Sequence, residues 1–321
     1  MALIQEGHRM IELFLNTTPH AVGQQTFTTA GTQELVVPQG VNRMSAVAVG
    51  GGQSASNNTL QHQGGDGGAL RYRNWIPVVP GERLAIVVGK GGDGLTAGTK
   101  GVYAGAKGVS SGITRNGLYI LRANGGGEDL SLSSIINISV KLSGTTGTGL
   151  DYLLTTLVEG AVGAVGAVVH DLAAPLIGGG NGGKGATGTL LARAVGGGGA
   201  GGYLGDGSIG VNYGTAQKMP VDTGAGYGGT VAMAVANLVT TYTGRGGGGI
   251  RPMGRIKDNP GSGAGFPAVI SGGGFGGGGA TQYRSDGTSW LGGGGNGAVR
   301  IIWGVGRGFP DQNTLDQNVI R

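Results

Sequence analysis

The chain has 321 residues, of which 77 are glycine, 12% are charged and 5% are aromatic. So few charges exclude the highly charged, weakly hydrophobic type of disordered protein. The net charge of +5 comes without a dense run of Lys and Arg, so we expect no nucleic-acid-binding surface, although a mildly basic surface favours acidic partners such as anionic polysaccharides. Cysteine is absent, which excludes disulfides and thiolate metal sites.

Residues 1–22 alternate weakly between apolar and polar side chains. Acidic residues interrupt the apolar pattern, so the segment is not typical of a secretory signal, and we expect synthesis in the cytoplasm without one. The pattern fits a strand, a short helix or an attachment segment, and attachment is our working interpretation. The most membrane-like stretch, 152–169, is interrupted by Glu159 and three glycines, so we expect no membrane insertion.

Residues 23–127 predict an antiparallel β-sandwich domain. Runs of β-forming residues separated by Gly, Pro and Asn occur at 25–29, 33–38, 43–50, 69–77, 82–88 and 113–121. Asn116-Gly117 lies between β-prone flanks and is a strong hairpin signal. Short strands at this spacing are typical of a sandwich in which one face of each strand lines a shared core.

Residues 128–176 match neither this pattern nor the glycine-rich pattern that follows, and we treat them as an insertion. Residues 135–142 alternate well enough for one strand. Gly160, Gly163 and Gly166 place glycine at every third position, which fits one edge of a three-fold helix. A small apolar helix or a loop fits that stretch equally well.

Six glycine-dominated runs characterise residues 177–296. They occur at 177–185, 195–203, 223–230, 243–250, 271–280 and 291–297. One interpretation is a set of flexible linkers. The intervening segments carry large apolar side chains, however, and a spacing of roughly 20 to 25 residues is typical of a repeated structural unit. We therefore favour a bundle of polyglycine-II helices, with three residues per turn, whose bare backbones approach one another closely.

A bundle of this kind has no room for a side chain where two backbones meet. We expect Gly198, Gly247, Gly274 and Gly294 to be structural glycines at such positions. Valine at Gly198 or Gly274 should then disrupt the packing, because a branched side chain has no space there and prefers restricted dihedral angles. If the runs are linkers instead, both substitutions are harmless.

The connectors between the glycine runs concentrate aromatic and polar side chains, and loops on a rigid scaffold often bind ligands. Our candidate binding residues are Tyr213, Tyr242, Tyr283, Arg284 and Trp290. The connector 281–290 is the richest, with two aromatic rings, both signs of charge and several hydroxyl groups. The alternative is that such rings cap the ends of the glycine rods, which we prefer for Tyr227 and Phe275.

Few residues point to catalysis. The sequence has no His-Glu-x-x-His motif and no cysteine nucleophile. The run 179–185 resembles half of a phosphate-binding loop, but Gly185 stands where a hydroxyl residue should follow the lysine. His62 with Asp66 is a candidate cation contact, although a solvated loop is the favoured interpretation. We therefore expect no enzymatic activity, no cofactor and no metal.

Two parts of the sequence resemble a known family. The segment 27–52, with Val37-Pro38-Gln39-Gly40-Val41 followed by β-forming residues and glycines, resembles the opening of the glycine-rich domain in virion proteins of tailed bacteriophages. The ending 292–304, followed by 306–310, resembles the C-terminal signature of such proteins, including those of phages that infect cyanobacteria. The glycine runs are also similar to those of tail-fibre tip adhesins, in which they form a polyglycine-II sandwich and the intervening loops contact the host receptor.

The resemblance implies that the strand at 297–304 returns to complete the sandwich begun in 23–127. The protein would then be a discontinuous antiparallel β-sandwich with an inserted polyglycine-II bundle at 177–296 and a C-terminal tail at 305–321. It further implies a non-enzymatic structural protein of the phage tail, in a fibre or the baseplate, that acts as a tip adhesin on the host surface.

The expected partners are other tail or baseplate proteins and a host glycan or outer-membrane protein. We expect several copies per virion, with a homotrimer as one arrangement. A scaffold without receptor contact is one alternative. A depolymerase acting on surface glycan is the other, and it requires paired carboxylates about 5 to 9 Å apart. The carboxylates available in the connectors belong to Asp206, Asp222, Asp258 and Asp286.

Overall fold

The computed structural model describes residues 21–58, 61–128, 177–189, 194–212, 225–236, 239–253 and 270–316. These ranges form strands, turns and extended segments and contain no helix, so the prediction of an all-β protein is confirmed for them. In the same ranges no helix is therefore long and apolar enough to span a membrane. Most of the attachment segment and of the insertion 128–176 lies outside the described residues.

The described strands all pair antiparallel with their neighbours. In chain order they are β1 (Gly23–Phe27), β2 (Gly31–Val36), β3 (Arg43–Val49), β4 (Ser56–Asn57), β5 (Gln61–Gln63), β6 (Leu70–Pro77), β7 (Arg83–Val88), β8 (Leu95–Thr99), β9 (Ser111–Arg115), β10 (Leu118–Ala123), β11 (Ile177–Gly178), β12 (Thr187–Thr189), β13 (Val231–Ala236), β14 (Val239–Gly244), β15 (Thr281–Arg284), β16 (Ser289–Leu291) and β17 (Ala298–Trp303).

Two sheets, which we call the basal sheets, share one hydrophobic core. Their strand orders are β1-β17-β3-β6-β11 and β10-β9-β7-β2. Alternation along β7 buries Leu84, Ile86 and Val88 and leaves the residues between them more exposed, as expected for a strand with one face in a core. The same core cluster includes Ile113 of the neighbouring strand β9 and Ile301 of the opposite sheet.

Local sequence signals explain two features of the basal sheets. The hairpin predicted at Asn116-Gly117 joins β9 to β10, and both turn residues have positive φ, 51° and 78°, as a two-residue type I′ turn requires. The last strand, β17, lies between β1 and β3, where Val299 pairs with Phe27 on one side and with Ala48 on the other. The two ends of the described chain therefore meet in one sheet.

Two smaller sheets, which we call the distal sheets, have the strand orders β12-β5-β4 and β13-β14-β15-β16-β8. Glycine-rich segments carry the chain between basal and distal sheets. Strand β3 leads through 50–55 into β4, and β5 returns through 64–69 to β6. Strand β7 leads through 89–94 to β8, and β16 returns through 292–297 to β17. Glycine-rich segments of both halves of the chain thus join the two pairs of sheets, whereas we expected packed glycine segments only at 177–296.

Neighbouring glycine segments are joined by backbone hydrogen bonds whose partners advance by three residues. Gly64 N–H donates to the Ala186 carbonyl at 2.8 Å. Three residues further on, Gly67 N–H donates to the Gly183 carbonyl at 2.9 Å. In a β-ladder, the residues bonded to one neighbour recur at every second position instead. The glycine segments therefore pair with a repeat that differs from that of β-strands.

The segment 195–202 lies at the centre of this network. Every backbone N–H from Gly196 to Gly202 donates a hydrogen bond. The acceptors lie in 64–69, 205–211 and 245–250, and the N–H groups that donate to the carbonyls of 195–202 include those of 179–186, 225–230 and 276–280. The backbone of this apolar interior is thus hydrogen-bonded on all sides, as buried polar groups require.

Three of the four proposed structural glycines lie where backbones meet. A Cβ atom at Gly198, Gly247 or Gly294 would lie 1.9 Å from a carbonyl oxygen of a neighbouring segment. Gly274 is different, because a Cβ built there meets no atom within 4 Å. Our expectation that valine lacks space at Gly274 is therefore wrong, because the direction in which a Cβ would project from this residue is open.

A second hydrophobic cluster covers the basal ends of several glycine segments. It contains Tyr72, Tyr203, Ile250 and Phe309, and Phe275 packs against it. The rings of Tyr203 and Phe309 stack with centroids 6.3 Å apart and an interplanar angle of 8°. Tyr203 and Ile250 each come at the basal end of a glycine segment, so the cluster shields backbone ends from water. Phe275 thus occupies the capping position that we preferred for it.

Candidate functional site

Four of the five candidate binding residues belong to the five-stranded distal sheet. Tyr242 lies in β14, Tyr283 and Arg284 lie in β15, and Trp290 lies in β16. Tyr213 lies outside the described residues. The segment 281–290, which we expected to be a loop, is a β-hairpin. Its turn contains Gly287 with a φ of 88°, a conformation that favours glycine.

One face of the sheet, which we call the tyrosine face, carries Tyr242 and Tyr283. The two residues are directly opposite each other in the register of β14 and β15, so their side chains point to the same side. Met233 of β13 is opposite Tyr242 and shares this face. Both tyrosines are half-buried. The tyrosine face therefore presents a row of large side chains across three strands.

The other face, which we call the tryptophan face, carries Trp290. Trp290 pairs with Gln282, the neighbour of Tyr283 along β15, and successive residues of a strand point to opposite sides. The indole ring lies against Gly98 of β8, where a built Cβ would be 3.0 Å from two ring atoms. Arg284 follows Tyr283 and also belongs to the tryptophan face. Tyr283 and Trp290 are therefore not two parts of one contact surface.

Electrostatic contacts at the hairpin turn are weak and local. Arg284 Nε lies 3.6 Å from Asp286 Oδ2, with side chains 40% and 43% exposed, so this ion pair is solvated. Asp286 Oδ1 accepts the Thr288 N–H at 2.9 Å, and this backbone hydrogen bond is the main reason that the pKa of Asp286 is lowered. The carboxylate therefore stabilises the turn while the Arg284 guanidinium stays accessible on the tryptophan face.

His62 of β5 supports the tyrosine face from the other distal sheet. Its ring meets the Tyr283 ring edge-on, with centroids 5.5 Å apart and an interplanar angle of 69°. His62 is only 6% exposed, and its Nδ1 atom has no hydrogen-bond partner in the described part of the chain. Burial lowers the pKa of His62, so the ring is neutral at neutral pH and packs as an apolar group.

His62 and Asp66 do not lie in the solvated loop that we favoured, because they are only 6% and 8% exposed, and the Asp66 carboxylate is held by other partners. Its Oδ2 atom accepts a hydrogen bond from Lys184 Nζ at 2.8 Å, and its Oδ1 atom accepts one from the Gly185 N–H at 2.9 Å. Asp66 therefore neutralises the lysine of the run that resembles half of a phosphate-binding loop. In the described ranges, His, Asp and Glu side chains form no group of three that could hold a metal ion.

The carboxylates considered for a depolymerase do not form a described pair. Asp206 begins a glycine segment just after Tyr203 in the basal cluster, and it accepts the Asn181 N–H at 2.6 Å. Asp286 lies in the distal hairpin, at the opposite end of the glycine segments. Asp222 and Asp258 lie outside the described residues. The two described carboxylates are thus separated by the length of the glycine network.

The sequence also contains a Gly-x-Ser-x-Gly match at 108–112 that our sequence analysis missed. This motif marks a catalytic serine only at a strand-to-helix turn. Here Ser110 ends a glycine segment and precedes β9. Its hydroxyl donates to Glu128 Oε2 at 2.5 Å and accepts Arg122 Nε at 2.9 Å. Ser110 therefore joins the end of the segment to an ion pair and does not resemble an activated nucleophile.

Buried arginines, which our sequence analysis did not single out, hold the residues after β17 against the basal sheets. Arg300 is 1% exposed, and its Nη2 atom donates to the Thr314 carbonyl at 2.5 Å and to Asp316 Oδ1 at 3.1 Å. Arg307 Nη1 donates to the Gly23 carbonyl of β1 at 2.5 Å. Burial lowers the pKa of Arg300, while the Asp316 carboxylate opposes this shift. The sequence signal that could have identified Arg300 is its position inside the otherwise apolar run 298–303.

No protein-family model matches the chain, and no curated protein sequence matches it either.

Proposed function

We propose that the glycine segments are polyglycine-II helices packed as a bundle between the basal and distal sheets. A three-residue hydrogen-bond repeat supports this, because a helix with three residues per turn presents every third N–H to the same neighbour. Close backbone approach supports it as well, since carbonyl oxygens occupy the space of a Cβ at Gly198, Gly247 and Gly294. The basal sheets would then be a β-sandwich that β17 completes.

We further propose that the protein is a non-enzymatic structural component of a bacteriophage tail, in a fibre or the baseplate, and that its distal end contacts the host surface as a tip adhesin. We call the glycine segments between the basal and distal sheets the stem. The observation that carries this proposal is that the stem, which is chemically uniform, separates the molecule into two ends. Specific recognition requires diverse side chains, and the hairpin 281–290 presents them at the distal end.

The basal end is the proposed site of attachment to the virion. Strands β1 and β17 and residues 305–316 lie there. We propose that the segments 1–22 and 305–321, which adjoin these strands in the sequence, contact other tail or baseplate proteins. The distal partner would be a host glycan or an outer-membrane protein, to which the aromatic rings and Arg284 of the two faces offer apolar and cationic contacts. A scaffold without receptor contact is the second candidate function.

The two faces of the distal sheet permit a direct test. One variant changes Tyr242 and Tyr283 to alanine and a second changes Arg284 and Trp290 to alanine, while Val305→Ala, 73% exposed at the basal end, is the control. Removing an aromatic anchor at an interface commonly costs about 2 kcal/mol or more, roughly a thirtyfold loss of affinity. We expect that loss in the binding of purified protein to susceptible cells for one of the two variants, with an unchanged melting temperature.

The outcomes of this test separate the candidate functions. Binding that neither variant alters would contradict a receptor site on this sheet, and no binding by the parent protein would favour the scaffold. Loss of melting temperature together with binding would mean that the rings stabilise the distal end. Incubation with host polysaccharide should release no new sugar ends, and their release would favour the depolymerase.

A further inference from the structure

Strand β13 is an exposed sheet edge without the usual protection. It pairs with β14 over six residues without a bulge, and in the described ranges no strand pairs with its other edge. Natural edge strands are usually protected by charged residues, proline or bulges. The strand has none of these in its sequence, Val-Ala-Met-Ala-Val-Ala. Met233 and Val235 are 46% and 64% exposed. Such an edge is expected to be covered by another strand.

The sequence of β13 indicates which strand covers it. Residues 231–235 read Val-Ala-Met-Ala-Val, which is the same in both directions. When two copies run antiparallel about a two-fold axis through Met233, Val231 lies opposite Val235 and Met233 lies opposite its own counterpart. Residues opposite each other in an antiparallel pair are on the same face, so the apolar face of one copy continues into that of the other.

We propose that β13 is a homodimer interface that joins the five-stranded distal sheets of two copies into one continuous sheet. The occupant is a second copy of this chain rather than an unrelated strand, because an isologous contact requires a self-complementary surface and this segment has one. The absence of charge in β13 removes the repulsion that identical charged residues would create across the axis.

This arrangement makes a definite prediction about stoichiometry. A two-fold contact closes with two copies, so it gives a dimer and does not by itself build the homotrimer considered above. One strand pair buries less surface than a standard interface, so the dimer should dissociate on dilution. Met233 shares the tyrosine face with Tyr242 and Tyr283, so the dimer would place the tyrosine faces of both copies side by side.

Light scattering of the purified full chain over a range of concentrations tests the proposal. We expect the mass to rise toward twice that of the chain as the concentration increases. Val235→Lys places a charge on the exposed face of the edge and should keep the protein monomeric. Val305→Lys makes the same change at a residue that is 73% exposed beyond β17, and it should leave dimerisation unchanged.

Cysteine cross-linking gives a second measurement that does not depend on the lysine variant folding well. The chain has no cysteine, so Met233→Cys introduces a single thiol. Opposite Cβ atoms in an antiparallel pair are about 4.5–5.5 Å apart, so a small adjustment allows a disulfide. Mild oxidation should convert this variant, but not Val305→Cys, into a covalent dimer.

A protein that stays monomeric at every concentration and does not cross-link at Met233 would overturn the proposal, and another segment of this chain or another protein would then cover the edge. A trimer, or a dimer that survives Val235→Lys and does not cross-link, would overturn it too. None of these results bears on binding of the protein to host cells, so the interface and the proposed function can fail independently.

Discussion

Alanine at Gly198 tests the close packing of the glycine segments with the smallest possible change. A Cβ built on Gly198 lies 1.9 Å from the Gly183 carbonyl oxygen, whereas ordinary van der Waals contact begins at 3.4 Å. The two segments therefore have to separate by about 1.5 Å, the difference between these distances. That shift strains the bonds that Gly198 makes to Gly65 and Gly278, which are both 2.9 Å long.

The expected loss of stability follows from these bonds. A buried backbone group without its partner costs about 1–3 kcal/mol, so two broken bonds lower the free energy of unfolding by roughly 2–6 kcal/mol. This is a large part of the roughly 5–15 kcal/mol by which most domains are stable. At about 2–4 °C per kcal/mol, we expect the melting temperature of Gly198→Ala to fall by roughly 5–20 °C.

Thermal denaturation followed by circular dichroism measures this effect, and Gly274→Ala is the matched control. A Cβ at Gly274 meets no atom within 4 Å, and neither glycine has φ in the left-handed region, so a left-handed backbone penalises alanine at neither site. We expect the control to remain within about 0.5 kcal/mol of the parent. Equal melting temperatures for the two variants would refute the close packing of segment 195–202.

Two further predictions concern buried basic side chains. Burial lowers the pKa of His62 below its ordinary 6.5. Stability is therefore retained above pH 6.5 and falls as the pH drops from 6.5 toward the folded-state pKa, because between these two values only the unfolded chain takes up the proton. The melting temperature of His62→Gln should therefore depend less on pH than that of the parent between about pH 7.5 and 5, and an unchanged slope would contradict this. Arg300→Met leaves the buried Thr314 carbonyl and the partly buried Met253 carbonyl without this donor, so we expect a loss of at least about 1–3 kcal/mol and faster proteolysis after β17. Arg83→Met, at an exposed ion pair with Glu34, should change stability by less than about 1 kcal/mol, and an equal effect of the two arginine variants would argue against the role of Arg300.

The basal strands were predictable because their signals are local. Alternation along β7 and the Asn116-Gly117 turn depend on neighbouring residues alone. The glycine segments of the first half were missed because other residues interrupt their glycines, so that they do not form long runs. In 105–110, a Cβ at Gly108 would meet the Gly51 carbonyl oxygen at 2.0 Å, whereas Val109 is 49% exposed. A segment at the edge of the network thus needs glycine only where it faces a neighbour, so no continuous run marks it.

The candidate site was predicted in its residue types but not in its arrangement. A β-hairpin places alternate residues on opposite faces, and the register that separates Tyr283 from Trp290 is set by a turn that we took for part of a loop. The contact of His62 with Tyr283 joins residues 221 positions apart in the printed numbering, and no local pattern indicates it. Such contacts depend on how the fold arranges segments that are far apart in the chain. Patterns in a single sequence do not contain that information.

The arrangement of segments has a consequence for how the distal end can vary. Strand β8 of the first half lies beside β16 of the second half, and each is connected to the basal sheets by its own glycine segment. The position of each distal strand is therefore fixed by backbone hydrogen bonds below it, which do not depend on the side chains that the strand presents. Substitutions on the exposed parts of the tyrosine and tryptophan faces should change binding without disturbing the stem, whereas even a methyl group should disturb the packing at a glycine that faces a neighbouring backbone. We infer that this division allows the proposed receptor surface to change its specificity while the scaffold remains the same.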